Sequence, residues 1–225
     1  MYIMLTQAQT QQFAQSAQIS TDNILKEHYQ IFLLDILFKS SLSNGLIFKG
    51  GTALKLVYNS FRYSEDLDFS LVKEAEFVDF KKLVFRIPRV FPEAEVKDMD
   101  NKKNTFFARI CFKLDYKPIP IGIKIEINKE IKKREYQVSL IKSQFNNIAV
   151  TGDVFELTEM LKDKYELLEA RREPRDLFDL WYIHQSLGKR FTVETRYKYS
   201  QKEIMDKLNP FIPLNHKNIL SLFIK

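Results

Sequence analysis

Residues 46–69 read LIFKGGTALKLVYNSFRYSEDLDF, and few folds accommodate that succession. The apolar run Leu46–Phe48 predicts a short buried strand. Gly50 and Gly51 interrupt it, and Thr52 opens a helical stretch to Asn59. A paired-glycine turn that feeds a helix leaves backbone N–H groups unpaired at the positive end of the helix dipole, which suits a phosphate. Ser64–Phe69 then predicts a second strand, with Ser64, Asp66 and Asp68 on one face and Glu65, Leu67 and Phe69 on the other. Leu67 and Phe69 bury, so the two aspartates sit side by side at the rim of the sheet. Their mutual repulsion is relieved by a shared cation. Mg²⁺ fits, because it takes one or two carboxylates together with substrate phosphates. A D-x-D pair alone reads equally well as solvated edge charges; the glycine turn just upstream favours the metal.

The rest of the chain sets wide bounds. It has 225 residues, 45% hydrophobic and 28% charged, an ordinary composition for a protein with a substantial core. The net charge of +6 favours polyanionic partners only moderately, since 35 basic residues face 29 acidic ones. One cysteine, Cys111, excludes an internal disulfide and a cysteine-based zinc site. His28, His184 and His216 are far apart and form no metal motif, so structural roles are expected of them. The N-terminal stretch lacks a basic region followed by an apolar core, and no apolar run is long enough to span a bilayer. A cytoplasmic protein without membrane contact is expected.

In chain order, residues 23–39 carry apolar residues on more than one helical row and predict a well-buried helix. Residues 74–87 predict an amphipathic helix that ends before Pro88, residues 93–100 a short polar strand, and Asp98–Asn104 a turn. Thr105–Leu114 is rich in aromatic and β-branched residues, as strands are. Residues 119–128, IPIGIKIEIN, alternate cleanly: Ile121, Ile123, Ile125 and Ile127 on one face, Lys124 and Glu126 on the other. Residues 129–142 are basic and irregular. Two helices then meet at Pro174, the second stopping at Gly188, and residues 192–206 and 216–224 add two more. The expectation is an α+β fold: a small mixed sheet flanked by helices over residues 1–150, and a helical region over 151–225.

Glu126 is the third carboxylate on a sheet face, although beside Lys124 it reads also as a solvated face with a weak ion pair. Lys164, Arg171 and Arg175 follow helical spacing, and Asp176 and Asp179 fall in the first turn after Pro174. Basic rows and acidic first turns are common on solvated helices, so these residues do not stand out unaided.

Three segments carry a resemblance: FKGGTALKLVYNSFRYSEDLDFSL, the strand IKIEIN, and ELTEMLKDKYELLEARREPRDLFDLWYI. Together they resemble the AbiEii/AbiGii toxin family of nucleotidyltransferases over roughly residues 24–185, and through it the polymerase-β-like nucleotidyltransferase superfamily. The resemblance implies a Mg²⁺-dependent transfer of a nucleoside monophosphate from an NTP, such as GTP or CTP, to an acceptor that is RNA (a tRNA, for example) or protein. It implies Lys49, Gly50, Gly51, Thr52 and Ser64 around the triphosphate, and Asp66, Asp68 and Glu126 as metal ligands. Lys164 matches the family's C-terminal lysine, a cation for the phosphates, and Asp176 its C-terminal aspartate. Such proteins are toxins of toxin–antitoxin or phage-defence pairs, with a separately encoded antitoxin. A kinase-like γ-phosphoryl transfer, or a nucleotide- or nucleic-acid-binding module without catalysis, stays open as an alternative, because acceptor placement decides which phosphorus is attacked.

Overall fold

Helix α2 (Thr21–Phe38) is buried nearly all round, as its apolar rows require, and it lies across one face of a seven-stranded sheet. The computed structural model describes residues 2–225. The sheet is built from β1 (Leu46–Lys49), β2 (Leu67–Leu71), β3 (Ala94–Asn101), β4 (Thr105–Leu114), β5 (Lys117–Asn128), β6 (Tyr136–Lys142) and β7 (Ala149–Phe155). Its strand order is β3-β4-β5-β2-β1-β7-β6. The β2–β5 and β1–β7 pairs are parallel and the others antiparallel, so this is the mixed sheet of an α+β fold. The isoleucines of β5 at 121, 123, 125 and 127 are all buried, while Lys124, Glu126 and Asn128 on the other face keep partial exposure.

The remaining helices are α1 (Gln7–Ala17), α3 (Gly50–Leu56), α4 (Phe77–Val90), α5 (Leu157–Arg171), α6 (Pro174–Ser186) and α7 (Gln201–Lys207). α4 packs beside α2 over β3 and β4. α5 and α6 pack on each other, and a second apolar cluster around Leu177, Phe178, Leu180, Leu208 and Phe223 holds the C-terminal helices together. Pro174 occupies the first turn of α6, where its missing N–H costs nothing. Among the described residues no helix is long and apolar enough to cross a membrane.

Several expectations need correction. α1 was not foreseen, although Thr6 and Gln9 form a capping box at its start. α4 continues past Pro88 to Val90, because a proline in the last turn removes one hydrogen bond while buried Ile87 and Phe91 anchor the end. β3 runs on to Asn101, which shortens the expected turn at 98–104. Part of the irregular basic stretch is an edge strand, β6, whose pattern is weak because only Ile141 is fully buried. β7 inserts beside β1, so residue 150 falls within a strand. Of residues 192–206 only the last part forms an α-helix, and Leu214–Phe223 winds as a 3-10 helix. His28 is buried with its ring nitrogens 3.2 Å from the Phe145 carbonyl and 3.0 Å from the Ile3 carbonyl, a structural role.

Candidate active site

One row of residues crosses the middle of the sheet: Lys49 of β1 pairs with Asp68 of β2, and Asp68 pairs with Glu126 of β5. Side chains that are partners in register share a face, so backbone pairing alone sets Asp68 between a lysine and a second carboxylate. Asp66 arrives differently from the expectation. β2 begins at Leu67, so Ser64 and Asp66 belong to the chain leading into the strand and not to a common strand face with Asp68. That chain is pinned from α3, where the buried Thr52 hydroxyl donates to the Asp66 carbonyl at 2.5 Å. Thr52 thus holds the acidic segment in place from behind. Lys124, one register step from Glu126, reaches Asp66 Oδ2 at 3.4 Å.

The electrostatics of the row are uneven. Burial, and next to it the charge of Asp66, push the Asp68 carboxyl up to about 6; Lys164 and Lys49 pull the other way, and Glu126 adds to the rise. Two adjoining recesses of about 180 and 190 Å³ open over these groups, and both are lined by Asp68, Glu126, Lys164 and Arg171. Among the described residues, no three histidine, cysteine, aspartate or glutamate side chains close around a single point as a finished metal site would.

The glycine turn has more than one reason to be glycine. Gly50 has φ +81°, and a Cβ there would lie 2.5 Å from Asp68 Oδ2. A Cβ on Gly51 would lie 2.1 Å from Arg62 Nη2 and 2.9 Å from Ser64 Oγ. The glycines therefore admit the site's own side chains close to the turn. α3 starts at Gly50 instead of Thr52 and is only seven residues long. The Lys49 ammonium is held at 2.7 Å from Asp163 of α5.

α5 and α6 supply the opposite wall. Lys164 is 4% exposed, and its Nζ lies 2.9 Å from Asp176 Oδ1 and 2.8 Å from Asp179 Oδ2. Asp176 and Asp179 are three residues apart on α6, hence neighbours on one face. Arg171 Nε and Nη2 donate to Asp176 at 2.7 and 2.9 Å, and Arg62 Nε and Nη2 donate to Asp179 at the same distances. Burial by itself would lower the Lys164 pKa; the Asp179 and Asp176 charges reverse this and hold it above the ordinary lysine value. Burial works against ionised Asp176 as well, yet the Arg171 hydrogen bond and Lys164 bring it down to about 2. Asp179 is likewise lowered against burial by Arg62 and Lys164.

Lys164 and Asp176 line the same recess as Asp66, Asp68 and Glu126, although they are far from them in sequence. Arg62, Arg171 and Asp179 complete the arrangement and were not singled out as site residues. The signal for Arg62 was its place two residues before Ser64; for Asp179, its helical spacing from Asp176. Of the basic stretch, Arg134 is occupied at 2.9 Å by Glu159, and Lys132 by Glu130 at the same distance.

No curated protein sequence matches this chain. Among solved structures, the fold is similar to MenT4, a nucleotidyltransferase toxin from Mycobacterium tuberculosis H37Rv, with TM-score 0.58 and 20% identity over 86% of this chain and 68% of that one. It is also similar to JHP933 from Helicobacter pylori, with TM-score 0.55 and 20% identity over 74% of this chain and 68% of that one. Residues 31–210 match the family described as nucleotidyl transferase AbiEii toxin, type IV TA system. That match spans most of the chain, including the glycine turn, Asp66, Asp68, Glu126, Lys164 and Asp176, and it places the chain in the AbiEii family of nucleotidyltransferase toxins.

Proposed function

We propose that this enzyme transfers a nucleoside monophosphate from an NTP, with GTP and CTP the first candidates, to a hydroxyl of an acceptor, an RNA such as a tRNA or a protein. The observation that carries the reading is the register of Asp68 with Glu126, faced by a buried lysine held between two aspartates. The donor set fits Mg²⁺: three carboxylates line one cleft, and Asp68, raised first by burial and then by the charge of Asp66, is a carboxylate whose ionised form a hard cation would favour. Asp66, Asp68 and Glu126 would hold it. When bound, the ion neutralises triphosphate oxygens and lowers the pKa of an attacking hydroxyl.

The chain's own groups then have separate tasks. Gly50, Gly51, Ser64 and Lys49 lie where the triphosphate enters, and Thr52 keeps the Asp66 segment in register. An ammonium carries three N–H donors; Asp176 and Asp179 engage two of those of Lys164, which leaves one for a phosphate oxygen. Asp176 is thereby a positioning residue. The acceptor oxygen bonds to the α-phosphorus as the bond to pyrophosphate breaks, and Glu126 is placed to take the hydroxyl proton. A cytoplasmic setting, a role in phage defence and restraint by a separately encoded antitoxin accompany this reading as a toxin.

Incubation with each NTP, labelled at α or γ, together with total tRNA and protein, tests it. Transfer of the α label to one acceptor pool with release of pyrophosphate is expected. Transfer of the γ label instead identifies a phosphotransferase, and NTP binding without either identifies a binding module.

A further inference from the structure

A cavity of about 440 Å³ lies at the end of α3 remote from the glycine turn, and it shares no lining residue with the two recesses of the catalytic cleft. Gly51 at the start of α3 faces the cleft, whereas Lys55 and Leu56 at its end face this cavity. Glu27 of α2 forms part of the wall and is 3% exposed. Its Oε1 accepts from the Ser143 hydroxyl at 2.6 Å, but its Oε2 has no hydrogen-bond partner. A buried carboxylate oxygen without a donor is unfavourable, and neither the fold nor the catalytic arrangement accounts for this one.

Lys55 supplies the complement. Its ammonium sits over the Tyr63 ring, 4.1 Å from the ring centre. Glu27 and Lys55 sense each other's charge without joining in a salt bridge, so a gap remains between them. Burial pushes the Glu27 carboxyl up and the Lys55 ammonium down, and the charge of each works against the other's shift. Leu56 and Phe61 add apolar walls, and the Phe61 ring is backed by His216, stacked at 4.4 Å.

We propose that this cavity binds a nucleobase with a ring N–H beside a carbonyl, as in guanine or uracil. The N–H donates to Glu27 Oε2, the carbonyl accepts from Lys55, and the ring lies against Leu56 and Phe61. Adenine and cytosine present an amino group beside an unprotonated ring nitrogen, the wrong order for this pair. The volume accommodates a nucleoside, and the base arrives either as a free nucleoside or as an unpaired base of RNA.

Calorimetric titration of the full chain with guanosine, uridine, adenosine and cytidine tests the site, since nucleosides without phosphate have little hold on the catalytic cleft. Oligouridylate and oligoadenylate form a second arm. Guanosine or uridine binding, or oligouridylate binding alone, is expected, with at least tenfold loss in Glu27→Gln and Lys55→Met and no change in Asp68→Asn. In Glu27→Gln the Ser143 hydroxyl keeps the amide oxygen, so the amide NH₂ meets the base's N–H and two donors oppose each other. Both variants are close in shape to the native side chain, and their melting curves establish that they fold. Uridine binding assigns the site to free nucleosides; oligouridylate without uridine assigns it to RNA. Absence of binding in both arms, equal affinity for adenosine and guanosine, or undiminished affinity in Glu27→Gln overturns the proposal.

Discussion

The Lys164 ammonium and the Asp176 carboxylate, 2.9 Å apart and both buried, join α5 to α6 in the wall of the recess that also holds Asp66, Asp68 and Glu126. Each is held by further partners, Lys164 by Asp179 and Asp176 by Arg171, so the pair is part of a network and not an isolated bond.

Loss of Lys164 should therefore have two effects. Lys164→Ala is expected to cost about 2–4 kcal/mol of transition-state stabilisation, as removal of one electrostatic contact does. It should also lower the melting temperature, because Asp176 and Asp179 stay buried with one cation fewer. Asp176→Ala should reduce transfer too, and the double variant should show less than the sum of the two losses. Strict additivity in kcat/KM would mean that the two do not act together.

Asp66→Asn and Asp68→Asn should each abolish transfer and leave the fold intact. Asp68→Asn carries an extra signature. Its folded pKa, about 6, exceeds the unfolded value near 4, so the metal-free protein loses stability as pH rises through that interval. With chelator present, the variant should exceed the native chain by up to about 3 kcal/mol above pH 6 and match it below pH 4. Denaturant unfolding at several pH values measures this; a constant difference across the range would contradict the assignment.

Asp176 predicts the opposite slope. Its folded pKa of about 2 lies below the unfolded value, so its contribution is complete above pH 4 and disappears as pH falls toward 2. Asp176→Asn should be less stable than the native chain at pH 7, and the two should converge under acid. Thermal melts between pH 2 and 7 give the comparison.

Gly50→Ala places a Cβ against Asp68 Oδ2 and a side chain at φ +81°. Strain of about 1–2 kcal/mol is expected from the backbone alone, together with loss of activity as Asp68 is displaced. Gly51→Val should abolish NTP binding, and it should destabilise the fold besides, since its branches meet Arg62. Native NTP affinity in Gly51→Val, measured by calorimetry, would remove the turn from the substrate site.

Local pattern determined much of this protein. The alternation at Ile121–Ile127 and the buried rows of residues 23–39 are properties of short segments and produced the expected strand and helix, whereas the paired glycines lie inside α3 and only Asp68 of the D-x-D lies on a strand. The short edge strand β6 and the neighbouring β7 were not legible, because β7 pairs with β1 far upstream, β6 pairs only with β7, and their own apolar pattern is sparse. The site divides the same way. Asp66 and Asp68 could be chosen from spacing, whereas Lys164 and Asp176 looked like any charges on solvated helices until the resemblance marked them. Tertiary structure alone decided that Lys49, Asp68 and Glu126 share one row, that Thr52 serves the loop behind the aspartates, and that Arg62 and Arg171 hold the two aspartates paired with Lys164. The reason is physical: helix and strand periodicity act over a few residues and are written in sequence. Strand register and the pairing of buried charges depend on which distant segments are brought together, and a buried lysine has the same letter as a solvated one.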